Sequence, residues 1–220
     1  MTSPAPVRIE TLAEGRQRLS LVDGRAALTL CSALGLSLPR YHFRLGRAVH
    51  AAPALQLFRV QRTLQLSNDL TGEAELSELH FAPELDATAR AVALATLARA
   101  AQLALRQQAA APQWLVIELP GWRDAGGHSP FWQALGARFC PLEPQQALLT
   151  HGSAWVSHLA ALLPRQMLYL SFLGPAAAQA CALSAEAEAL QALQRLGFLP
   201  AQQVRIDDGG PVLAWPVGAG

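Results

Sequence analysis

Around Asp23-Gly24 the chain alternates between apolar and polar positions, and an Asp-Gly pair accepts the positive φ of a tight turn. The pattern predicts two hairpin strands, Arg18 to Val22 and Ala26 to Leu30. Further strands are expected at Arg44 to His50, Thr63 to Ser67 and Leu76 to Phe81, separated by turn formers such as Asn68, Asp69 and Gly72. From Asp86 to Gln108 the period changes: Ala, Leu and Val recur at helical spacing without Gly or Pro, and Asp86 is the expected N-cap. Trp114 to Leu119 is a short apolar run ending at Pro120, which suits a buried strand, and Gly121 to Gly127 reads as a loop. Ser129-Pro130 opens a short helix that Gly136 ends. Helices at Ala154 to Leu163 and Ser184 to Leu196 follow, with closing strands at Val204 to Ile206 and Val212 to Trp215. The expected fold class is α/β in the α+β sense, with the early strands read as a meander. Residues 1–16 are expected as a tail, 17–145 as the core and 146–220 as an α/β extension packed on it.

The 220 residues are 51% hydrophobic, enough for a sizeable core rather than a disordered chain. Lys and Arg total 17 against 16 acids, so no charge excess exists to neutralise a phosphate backbone or grip an anionic bilayer; nucleic acid and membrane are not expected partners. Ala26 to Leu38 is too short to span a bilayer, and Met1 to Glu10 holds no apolar signal core. Cys31, Cys140 and Cys181 are odd in number and lack short metal-ligand spacing, which fits reduced thiols, a cytoplasmic location and no metal site.

Four blocks are more specific than the order of elements. Tyr41, Arg44, Gly46, Val49 and His50 form the run YxxRxGxxVHA, and Leu66 to Gly72 reads LSNDLTG before Glu75, Leu76 and Leu79. Gly126 to Phe139 reads GGHSPFWQALGARF, and Asp208 to Leu213 reads DGGPVL after Gly197-Phe198. In this order the blocks resemble arginine N-succinyltransferase, within the acyl-CoA N-acyltransferase (GNAT) superfamily. The resemblance covers roughly Arg18 to Trp215, and the family's chains extend further at both ends. It implies a GNAT-like fold, a mixed, mostly antiparallel central sheet flanked by helices with a C-terminal α/β extension, and transfer of succinyl from succinyl-CoA to the α-amine of arginine. It also implies succinyl-CoA as co-substrate with no tightly bound cofactor, and small-molecule partners: an acyl-CoA and arginine or a related amine. Assembly as a homo-oligomer, or with a longer paralogue, is the expected alternative to a lone chain.

Carried onto this sequence, the resemblance departs from the superfamily in three places. The superfamily's first strand and the helices after it, which help wall the acceptor pocket, are expected to have no counterpart in the 17–145 core. The pyrophosphate turn, Arg-x-x-Gly-x-Gly at the head of the long helix, has Asp86 for the arginine and Ala89 and Ala91 for the glycines; Arg90 is a substitute cation one step away. A plain capped helix start is the simpler reading of the same residues. The proton-donor histidine of the family falls near Leu183 and Ser184, and no histidine follows His158, so the catalytic acid is unassigned. Neither His50, His128, His151 nor His158 is named catalytic, since lone histidines in strands and loops are usually structural. The CoA-side candidates are Leu79, Phe81 and Arg90, with leucine in a strand equally ordinary core material. The acceptor-side candidates are Arg44, Ser67, Asn68, Asp69, Thr71 and Glu75, because carboxylates pair with a guanidinium; turn chemistry and an Arg44 ion pair explain the same residues. Phe131 and Trp132 read as core. The departures leave a second expectation: a catalytically impaired paralogue serving as companion subunit or amino-acid-binding module.

Overall fold

The computed structural model describes residues 6–108 and 110–218. Its strands are β1 (Val7–Thr11), β2 (Arg16–Leu21), β3 (Ala26–Cys31), β4 (His42–Ala52), β5 (Leu57–Ser67), β6 (Ala74–Phe81), β7 (Trp114–Glu118), β8 (Leu168–Tyr169), β9 (Leu199–Arg205) and β10 (Pro211–Pro216). The helices are α1 (Ala87–Arg106), α2 (Pro130–Ala134), α3 (Pro144–His151), α4 (Trp155–Leu162), α5 (Pro175–Ala180) and α6 (Ala187–Leu196). One sheet of ten strands runs β1-β2-β3-β6-β7-β10-β9-β4-β5-β8. Its one parallel pair among the described residues, β6 with β7, is joined by α1, as a parallel crossover requires. The mixed, mostly antiparallel sheet with flanking helices is the architecture that the resemblance implied.

Alternation along β7 sets the layers. Leu115 and Ile117 face α1 and meet Leu94, Leu97, Ala98 and Leu105, with Leu28, Leu30, Leu76 and Leu213 from neighbouring strands. Val116 points to the other face and joins Leu34, Leu70, Val212 and Ala214. Leu97 and Leu105 are essentially fully buried, each contributing about 1.5–3 kcal/mol through removal of apolar surface from water. A further core closes the β4–β9 side, where Phe43, Leu64 and Val204 pack on Phe131, Trp132, Trp155 and Leu159. Phe131 and Trp132 are thus core, as expected.

The structure corrects several expectations. Sheet pairing begins before Arg18: β1 pairs with β2 from Val7 opposite Leu21 to Thr11 opposite Gln17. Only Val7 there packs on the core, so periodicity carried little signal. The strands expected at 44–50 and 63–67 are eleven residues each and form one long hairpin, whose tip is exposed on both faces. That hairpin does not continue a meander from β3. It crosses to β9, with His42 opposite Arg205 and Phe43 opposite Val204. Residues 199–216, expected within an extension packed on the core, supply β9 and β10 in the middle of the sheet. α3 and α5 are additional short helices, and α6 starts at Ala187 rather than Ser184.

Candidate functional site

β6 and β7 pair only from Ala74 opposite Leu115 to Leu76 opposite Ile117; beyond that point they part. At the same level β6 carries a bulge against β3, where the register shifts between Ala27 and Thr29. Within it Glu78 adopts φ +50°, a left-handed conformation that costs a non-glycine residue about 1–2 kcal/mol. Its carboxylate accepts from Thr29 Oγ1 at 2.7 Å and from Arg16 at 2.5 Å, and these bonds hold it below the usual glutamate range. The bulge turns Glu78 toward a cleft of about 350 Å³, also lined by Arg40, Tyr41, Glu118, Arg123, Trp155, Arg205 and Asp207.

Charged groups converge at the base of this cleft. Glu118, the last residue of β7, lies 2.6 Å from Arg40 and 3.7 Å from Arg205, and 2.7 Å from Nε2 of His42. Burial pushes the Glu118 carboxyl up, but Arg40, the His42 hydrogen bond and Arg205 outweigh it and hold the group well below the ordinary range. An ionised Glu118 only accepts, so the His42 Nε2–H donates. Nδ1 of His42 is buried without a partner. Glu75, one pleat away on β6, sits 3.4 Å from Arg40. For Glu75 burial dominates over the attraction of Arg40, and repulsion from Glu118 adds to it, so its carboxyl is pushed up to about 7. The two neighbouring glutamates thus separate into an ionised member and one that exchanges its proton near neutrality.

Asp207 and Asp208 complete the cluster. Arg205 pairs with Asp207 and reaches Asp208 Oδ1 at 3.0 Å. Asp208 Oδ2 accepts from the Gly121 N–H at 3.0 Å and Oδ1 from the Gly210 N–H at 2.9 Å. Burial, with repulsion from Asp207, still raises Asp208 to about 6. This explains the Asp-Gly-Gly block. The loop after β9 crosses the exit of β7 so closely that a Cβ on Gly210 would strike the Leu119 carbonyl and the Gly121 nitrogen, while Gly209 carries φ +70° against the Phe131 ring.

The acceptor-side candidates do not gather in one place. Arg44 and Asp69 form an exposed pair at 3.4 Å, with side chains 52% and 44% exposed. Ser67 Oγ accepts from the Asp69 N–H, and Thr71 Oγ1 donates to the Asn68 carbonyl, so Ser67, Asn68, Asp69 and Thr71 build the turn between β5 and β6. Glu75 alone joins the buried cluster. On the CoA side, Leu79 and Phe81 are partly buried against the α1 core, and Arg90 is exposed on α1. Asp86 Oδ1 accepts from the Ala89 N–H at 2.7 Å, the capped helix start. The opening turn of α1 contributes Thr88 to a groove shared with α6, not to the polar cleft. Among the four histidines considered from sequence, His128 lies 3.6 Å from Asp124, His50 packs near Tyr169, and His151 and His158 face each other.

Arg40, His42, Glu118, Arg205 and Asp207 were not singled out in the sequence. A trace of them was present: Glu118 is the one charged residue in β7, and Arg205 stands two and three residues before an acidic pair. Among the described residues no group of three or more His, Cys, Asp or Glu could hold a metal ion, and no helix is long and apolar enough to cross a membrane.

Comparison with known proteins agrees with this architecture. The chain is 35% identical over 185 residues to the arginine N-succinyltransferase of Enterobacter sp. (strain 638), covering 82% of this chain and 53% of that one. It is 34% identical over 186 residues to that of Salmonella arizonae, with the same coverage. It therefore spans about half the length of these curated relatives. The solved structure of arginine/ornithine succinyltransferase subunit AI from Pseudomonas aeruginosa superposes with a TM-score of 0.69 at 25% identity, covering 94% of this chain and 62% of that one. The family model described as arginine N-succinyltransferase beta subunit matches residues 19–218, and this chain belongs to that family.

Proposed function

We propose that this protein transfers succinyl from succinyl-CoA to the α-amine of arginine, in the manner its relatives' name describes, using the cleft between the parted ends of β6 and β7. The carrying observation is the bulge at Glu78. Among the described residues the edge of β6 facing β7 has no strand partner beyond Leu76, which leaves main-chain donors and acceptors for a pantetheine arm and thioester carbonyl. The arm would run along Ser77 to Phe81, with Leu79 and Phe81 fixing the strand from the core side. The cleft suits a dibasic amino acid because it offers both signs of charge. Arg40, Arg123 and Arg205 would take its carboxylate, and Glu78 and Asp207 its guanidinium. Glu75 lies behind Arg40, at 3.4 Å from it, and does not line the cleft; exchanging its proton near neutrality, it would receive the proton that the attacking amine sheds through a relay rather than by contact. Both ligands are water-soluble metabolites, in keeping with a cytoplasmic protein that has no tightly bound cofactor.

One observation favours a second reading. Asp86 fills the head of α1 with its own carboxylate, where a CoA pyrophosphate would otherwise meet bare amides. In that reading the chain binds the amino acid as a companion subunit without transferring the acyl group. Thermal unfolding with succinyl-CoA or arginine, together with thiol release from succinyl-CoA, separates the two. A ligand that binds only the native state raises its midpoint. The transferase is expected to be stabilised by both ligands and to release CoA thiol only when arginine is present. Stabilisation by arginine alone selects the companion reading, and no response to either ligand overturns both.

A further inference from the structure

α1 and α6 lie side by side on the outer face of the sheet and run in the same direction, since Thr88 Oγ1 donates to Glu188 Oε2 at 3.0 Å near both N-termini. Between them, edged by Pro6 and Val7, is a groove of about 920 Å³ that shares no lining residue with the polar cleft. Its walls are mainly apolar: Val92, Ala95, Leu103, Ala192 and Leu196, with Val92 62% and Leu103 50% exposed. Large exposed apolar side chains clustered in one groove mark a surface built for contact.

The charges along the groove identify the contact. Glu188 marks one end, and Arg195 and Arg99 stand further along. Seven residues separate Glu188 from Arg195, two turns of helix, which puts them on one face about 10 Å apart. That is beyond the three- or four-residue spacing at which they could pair within the helix. Neither arginine has an ion pair among the described residues. A two-fold axis through the level of Gln191 and Ala192 would carry Glu188 of one copy onto Arg195 of another, twice over, and would bring the two Val92 side chains to the same level. This is the self-complementarity of an isologous interface. We propose that the α1–α6 face is the dimer interface of this protein, its occupant a second copy of the same chain in antiparallel register. The inference is independent of the acyl-transfer reading, because the interface shares no residue with the cleft.

Sedimentation equilibrium of the full chain tests it, with circular dichroism showing that each variant remains folded. The wild type is expected to dimerise, Val92→Glu to be monomeric, and Glu188→Arg or Arg195→Glu alone to weaken association by about tenfold. The double reversal Glu188→Arg with Arg195→Glu should recover most of that loss, which a general surface effect would not do. A wild type that stays monomeric overturns the proposal, as does a dimer indifferent to Val92→Glu or a double reversal weaker than either single change. A monomer whose melting point rises with decanoate but not decanol would overturn it in favour of an amphipathic anion held by the two arginines.

Discussion

His42 and Glu118 lie on strands separated in the sheet by β9 and β10, yet the His42 Nε2–H donates to Glu118 at 2.7 Å. The bond joins the start of the long β4–β5 hairpin to the end of β7, on which the floor of the cleft is built. Arg40 and Arg205 share the same carboxylate.

Removing that charge while keeping its shape takes one carboxylate from two partly buried guanidiniums, leaving Arg40 with Glu75 and Arg205 with Asp207 and Asp208, and leaves the buried His42 without an ionised acceptor. Glu118→Gln is expected to lower the unfolding free energy by about 3 kcal/mol, read from urea titration. A loss below about 1 kcal/mol would mean that packing, not the ionic cluster, holds the hairpin to β7.

Two buried carboxyls hold their protons more tightly when folded, Glu75 at about 7 and Asp208 at about 6. The stability they contribute is fully present below the ordinary carboxylate range and is lost as pH rises through those values. Glu118 acts in the opposite direction, contributing above the ordinary glutamate range and failing as pH falls through its depressed native value. The urea midpoint should therefore drop between pH 5 and pH 8 by an amount worth on the order of 1–3 kcal/mol, and Glu75→Gln should flatten this slope. An unchanged slope in the variant would remove Glu75 as its source.

Arg44 and Asp69 are paired at the surface, where a mean ion pair contributes little. Arg44→Ala should change stability by less than about 0.5 kcal/mol in thermal unfolding. Any change in arginine affinity in that variant then reports direct recognition. Unaltered affinity would confine Arg44 to turn chemistry.

Gly210 is hemmed in by the Leu119 carbonyl and the Gly121 nitrogen. Gly210→Ala should cost about 2–3 kcal/mol through backbone displacement, seen as a lower melting temperature. A near-neutral result would show that the crossing of the two loops has room to relax.

Asp86 caps α1 through the Ala89 amide. Asp86→Ala should cost about 1 kcal/mol in urea titration. Ala89→Gly with Ala91→Gly should tighten succinyl-CoA binding if this helix start still faces a phosphate group. No gain would leave Asp86 with a capping role alone.

Elements whose pattern is written in neighbouring residues could be read along the chain. The period of α1, its aspartate cap and the apolar run of β7 each occupy a short continuous stretch, so composition and spacing reveal them, although the partners that bury them lie far off in sequence. Phe131 and Trp132 were legible as core because a serine cap and Pro130 start their helix in one orientation. The blocks around Arg44, Asn68 and Asp208 were visible as motifs, but their roles were not, since a turn and a binding site use the same residue types. Only the tertiary structure carried β4 and β5 across to β9 and placed β10 beside β7, because strand order depends on pairings between distant residues. For the same reason it alone brought together Arg40, Glu75, Glu118 and Arg205, the first and last of which lie 165 residues apart in sequence. In a linear chain each is an ordinary charged residue. Once the fold excludes water around them, their charges act directly on one another, and that exclusion makes the cluster a site.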